Sequence, residues 1–93
     1  MTVKDLKNGD IIFQRAGHIG MYIDKDGEGY ILYPTSGYDD VDLTYNDDLT
    51  DATGEPQFDI MRVYRYEQGM LSFSDYEEGD LIFDRDESWT KPE

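Results

Sequence analysis

The chain has 93 residues, 22 of them acidic and 8 basic, for a net charge of -14. That length allows one domain with one small core. The charge disfavours direct contact with nucleic acid or anionic lipid and favours basic partners, and the lack of cysteine excludes disulfides, thiolate zinc sites and a cysteine nucleophile.

Aromatic residues make up 14%, mostly eight tyrosines, and β-branched and aromatic residues dominate the apolar runs. Such runs fit pleated, half-buried surfaces, so the expected fold is mainly β. The specific expectation is a small SH3-like barrel or strongly bent antiparallel sheet, with at most a short helical turn near 44–49. Residues 1–86 should form this single domain and 87–93 a loose tail, apart from Trp89, which can fold back. MTVKDLKNGD lacks the apolar centre of a signal peptide, and no apolar run reaches membrane-spanning length. The expectation is a soluble, cytoplasmic protein.

Asn8-Gly9-Asp10 is a turn signal leading into a first strand at Ile11 to Arg15. Ala16-Gly17-His18 makes a short connection, and Ile19 to Asp24 a second strand with Ile19, Met21 and Ile23 on one face. Asp26-Gly27 predicts a hairpin into a third strand at Tyr30 to Tyr33. Pro34 and Gly37 stop it. Val41 to Leu43 reads as a short strand, and Thr44 to Asp47 has capping-box spacing for one helical turn through Leu49. This excursion is expected to be exposed. Phe58 to Tyr66 is the strongest strand, predicted central, with Phe58, Ile60, Arg62, Tyr64 and Tyr66 on one side. Met70 to Phe73 and Asp80 to Arg85 complete the set. LKNGDIIFQR and YEEGDLIFDR echo one another, and pairing between these two ends would close a barrel.

Between Asp26 and Met61 there is no Lys or Arg, whereas Asp26, Glu28, Asp39, Asp40, Asp42, Asp47, Asp48, Asp51, Glu55 and Asp59 fall there. One reading is a solvated face that confers solubility. The sharper one is a surface that fits a basic, nucleic-acid-binding groove. Tyrosine gives contact area at low entropy cost, so the expected partner-binding face is Tyr38, Asp39, Asp40, Asp42, Tyr45, Asp47, Asp48 and Asp51. Clustered carboxylates there offer only unspecific cation binding. Asp24 to Gly29 begins like a calcium loop, but its twelfth position is Thr35 rather than glutamate, so no metal or cofactor is expected.

Gly9-Asp10-Ile11-Ile12-Phe13 followed by His18-Ile19-Gly20-Met21-Tyr22-Ile23 resembles the NlpC-type cell-wall amidases of the papain-like superfamily. The resemblance implies that His18 stands where that family has its catalytic histidine. The family's mechanism needs a cysteine thiolate. This chain has none, and Ser36, Ser72, Ser74 and Ser88 are not in a strand-to-helix elbow. His18 is therefore expected to be a turn residue, or at most to line the groove of a catalytically dead cell-wall or peptide-binding module.

A second likeness covers most of the chain. LKNGD near the start, Tyr45-Asn46-Asp47-Asp48-Leu49, Asp59-Ile60-Met61-Arg62-Val63-Tyr64 and the closing LIFDR resemble small uncharacterised proteins of tailed phages and prophages. Gly20-Met21-Tyr22 departs from that pattern. That resemblance implies a mobile-element context, in which small proteins often inhibit host defence, anti-CRISPR proteins among them. Together these readings lead to the expectation of a non-enzymatic binder of a basic nucleic-acid-handling protein such as a CRISPR effector. A phage adaptor with no inhibitory role is the further alternative.

Overall fold

The computed structural model describes residues 1–34, 37–69 and 72–92. Six strands form one antiparallel sheet: β1 (Ile11–Gln14), β2 (Ile19–Lys25), β3 (Glu28–Tyr33), β4 (Gly37–Asp40), β5 (Ile60–Arg65) and β6 (Asp80–Asp84), in the order β4-β3-β2-β1-β5-β6. A single turn of helix, α1 (Val41–Thr44), follows β4, and 3-10 turns occupy Val3–Asp5, Pro56–Phe58 and Tyr76–Glu78. No helix among the described residues is long and apolar enough to cross a membrane.

The fold is mainly β as expected, but the sheet is open. Its two echoing segments do not pair, because β5 lies between them, matching Ile12 with Val63 on one side and Val63 with Phe83 on the other. The edges are therefore β4 and β6. The β2–β3 hairpin turns at Asp26 and Gly27 with φ of 55° and 86°, the left-handed pair that two-residue hairpins need.

Both faces of the sheet are covered. On one, Leu6, Ile12, Tyr22, Ile31, Val41, Tyr45, Leu49, Ile60 and Val63 form a buried cluster. Each fully buried Ile, Leu or Val there contributes about 1.5–3 kcal/mol. On the other, Ile11 and Phe13 pack with Ile19, Met21, Tyr64, Phe73, Tyr76 and Trp89. The indole Nε1 of Trp89 donates to the Arg15 carbonyl at 3.1 Å, and Arg62 Nη2 donates to the Trp89 carbonyl at 2.7 Å.

Several expectations are corrected. The 41–59 excursion is not a solvated loop: Val41, Tyr45 and Leu49 supply core side chains. The helical turn spans Val41–Thr44 instead of 44–49, because Asp40 caps it one turn earlier, accepting from Asp42 N at 3.0 Å while buried Val41 pins it down. Val41 to Leu43 is thus helix and not strand. Strand β4 arises where a stop was read: Tyr38 pairs with Leu32, and its ring meets Tyr30 edge-on, with centroids 5.6 Å apart. Along β5 the alternation breaks. Phe13 faces Arg62 and Gln14 faces Ile60, so Met61 is an extra residue in the pairing. This bulge moves Ile60 to the face opposite Arg62 and Tyr64. Of the strand expected at Met70 to Phe73, Met70 and Leu71 lie outside the described residues, and Ser72 and Phe73 are not in a strand.

Candidate functional site

The eight residues expected on one binding face separate into two sets. Tyr38, Asp42, Asp47 and Asp48 are exposed, and Asp39 and Asp40 are half-buried. Tyr45 and Asp51 are 5% and 6% exposed, so neither lies on an open docking face. The Asp51 carboxylate accepts from Thr53 N at 3.1 Å, from Glu55 N at 3.2 Å and from the Thr53 hydroxyl. Asp48 is likewise tied back, accepting from Thr50 N at 3.1 Å and Thr50 Oγ1 at 2.5 Å. The Thr53 hydroxyl holds the Asp51 carboxyl below its ordinary value, and the Thr50 hydroxyl does the same for Asp48.

Among the described residues the ion pairs are Arg15–Asp59 at 3.7 Å, Arg62–Asp84 at 3.5 Å and Arg65–Asp10 at 2.7 Å. Arg85 donates to the carbonyls of Ile60 and Asp48. The arginines therefore hold the sheet and its loops together. Asp39, Asp40, Asp42 and Asp47 take part in none of these pairs.

A second set of groups converges at one end of the β1–β2 hairpin. The Gln14 and His18 backbones hydrogen-bond across the turn, Gln14 N to His18 O at 2.9 Å, so the two side chains lie together on the face of the larger cluster. Tyr33 joins them from β3. A Cβ on Gly20 would lie 2.4 Å from Ile31 Cγ2 and 3.2 Å from Tyr33 Cε1, so a side chain there would clash with Ile31 and crowd this ring. Around these groups is an open cavity of about 680 Å³, whose lining includes His18, Tyr33, Asp39, Asp51, Glu55 and Phe58.

The hydrogen bonds of this cluster have a fixed polarity. Tyr33 donates its hydroxyl proton to Asp39 Oδ2 at 2.7 Å, since an ionised carboxylate only accepts. The Tyr33 oxygen accordingly accepts from Gln14 Nε2 at 2.9 Å, and the same amide nitrogen donates to Tyr45 at 2.6 Å. Gln14 Oε1 is then left for His18 Nδ1, 3.0 Å away. Nδ1 must carry a proton, and in the uncharged imidazole that leaves Nε2 as the acceptor. Burial pushes the Tyr33 phenol up, with Tyr45 and Asp39 adding to it, and burial pushes Tyr45 up to about 12. Both are neutral at physiological pH.

Gln14 and Tyr33 were not singled out from sequence. The hairpin symmetry about Ala16 pairs position 14 with 18 and was the available signal for Gln14; Tyr33 carries no such mark. Among the described residues no hydroxyl hydrogen-bonds to His18, and no group of three His, Asp or Glu side chains is placed to hold a metal ion. Ser72 and Ser88 hydroxyls bond to Asp75 and Asp86, and Ser36 lies outside the described residues. Comparison with known proteins returns no matching family model, no similar curated protein and no similar solved structure.

Proposed function

We propose that this chain is a non-catalytic acidic binding protein. It docks on a basic, nucleic-acid-handling host protein and occupies the surface that the nucleic acid would use. A phage or prophage inhibitor of host defence, of the anti-CRISPR kind, fits that role. The observation that supports this reading most is the distribution of charge. The arginines are engaged in holding the fold, whereas Asp42 at the start of α1, next to β4, and Asp47 in the loop after α1 stand exposed outside every ion pair found among the described residues. An unneutralised edge of one sign steers and orients a basic partner. It also discourages edge-to-edge pairing at β4, which is the solubility alternative.

The test is charge reversal of Asp42, Asp47 and Asp48 to lysine, with binding to a purified CRISPR effector measured with and without its guide. Affinity lost on reversal, and lost in the wild type when the guide or duplex DNA is present, supports the reading. Unchanged affinity removes the edge from the interface. A second reading, the catalytically dead amidase-like module, draws support from His18 lining a cavity. It requires cell-wall fragments to bind there uncut.

A further inference from the structure

The cavity beside His18 is unusual in which hydrogen-bonding groups it leaves free. Among the described residues most of its side-chain donors are already engaged: the Tyr33 hydroxyl with Asp39, the Gln14 amide with Tyr33 and Tyr45, and the Thr53 hydroxyl with Asp51, which leaves the Thr44 hydroxyl. Beside that hydroxyl, what remains is mainly acceptors. When the His18 imidazole is uncharged its Nε2 offers a lone pair, and Asp39 and Glu55 line the same space, as does Asp51, whose Oδ2 already accepts from Thr53 and Glu55. No Lys or Arg lines it among the described residues. The walls between these acceptors are Ile19, Tyr33, Pro34 and Phe58, apolar or aromatic in character.

An occupant must therefore bring many donors, positive charge, and an apolar stem or planar group to lie against the rings. We propose that the cavity receives an arginine side chain presented by the basic protein partner of the acidic edge; this deepens the functional reading above and rests on it. The guanidinium offers five N–H donors in a plane, accepts nothing, and stacks on aromatic faces. A neutral group lacks the charge, and an anion meets carboxylates with no Lys or Arg among the described lining residues to offset them. The volume, about 680 Å³, holds the side chain together with adjoining peptide backbone. Asp39, half-buried on β4, links the cavity to the exposed edge, so one partner surface can span both.

The experiment uses the full isotope-labelled chain and a capped Gly-Arg-Gly peptide, with the citrulline peptide as an uncharged control of the same shape. NMR shifts are followed at the His18 imidazole and at the amides of Gly17, Ile19 and Thr53. Saturable shifts at these positions are expected, roughly tenfold weaker for citrulline. Glu55→Gln, an exposed change that removes no hydrogen bond found among the described residues, should weaken arginine binding several-fold. Equal response to citrulline, shifts confined to residues 42–48, or an unchanged affinity in Glu55→Gln would overturn the proposal. The two readings fail separately. If edge reversal abolishes partner binding while the cavity ignores arginine, the receptor is refuted and the inhibitor stands. If the cavity takes arginine but no partner competes with nucleic acid, the receptor survives and the inhibitor does not.

Discussion

Gln14 is the residue on which the candidate site depends most, and its replacement by methionine isolates that role. The side chain is 3% exposed, and methionine nearly matches its volume, so packing is largely kept. Three hydrogen bonds are lost: to Tyr33, to Tyr45 and to His18. Tyr33 keeps Asp39 as a partner and exposed His18 can turn to water, whereas Tyr45 loses a donor inside the core. At about 1 kcal/mol for each bond, raised where a buried group is left unpaired, the expected cost is about 2–3 kcal/mol. For a domain of this size that lowers Tm by roughly 10–20 °C. Urea unfolding followed by Trp89 fluorescence measures the loss. Adding Tyr45→Phe supplies the decisive comparison. In the Gln14→Met background the second change should cost about 1 kcal/mol less than it does alone. A single-variant loss below about 0.5 kcal/mol, or strict additivity, would refute the network.

Arg65→Met should cost about 3–5 kcal/mol by chemical denaturation, because the Asp10 carboxylate, 1% exposed, loses its bidentate partner at 2.7 and 2.8 Å; converting Asp10 to leucine as well should restore more than half of that. Gly20→Ala should cost about 1–3 kcal/mol and shift the Ile31 methyl and Tyr33 ring resonances together, since the new methyl clashes with Ile31 Cγ2 and crowds the Tyr33 ring. Asp51 has a folded value below its ordinary 3.8, so its contribution to stability is complete above 3.8 and is lost as pH falls through the folded value. Thr53→Val should raise the Asp51 midpoint, read from its carboxyl carbon shift, and reduce that contribution to acid unfolding.

Particular residues explain how much of this was legible in the sequence. Ile11 to Gln14 and Ile19 to Lys25 form strands where apolar runs and turn signals coincide, and Asp26-Gly27 forms the hairpin its chemistry dictates. Strand β4 was hidden because Gly37, Asp39 and Asp40 have poor strand propensity; pairing with β3 overrides it. The extra residue at Met61 was hidden because a bulge breaks the two-residue period without changing composition. Buried Tyr45 and Leu49 sit within an acidic stretch, and local polarity concealed their role in covering the sheet. His18 was visible as the only histidine, but the network that reaches it through Gln14 joins side chains of β1, β3 and β4 with Tyr45 and could be placed only by the fold.

The central claim, that an acidic surface competes with nucleic acid for a basic partner, is tested most directly by elution. Host-lysate proteins captured on the immobilised chain are released first with duplex DNA or guide RNA and then with high salt. The account predicts that a nuclease or other nucleic-acid-binding protein leaves with the nucleic acid, and that the Asp42, Asp47 and Asp48 reversal fails to capture it. Partners that withstand both nucleic acid and salt, or that bind the reversed protein equally well, would contradict it.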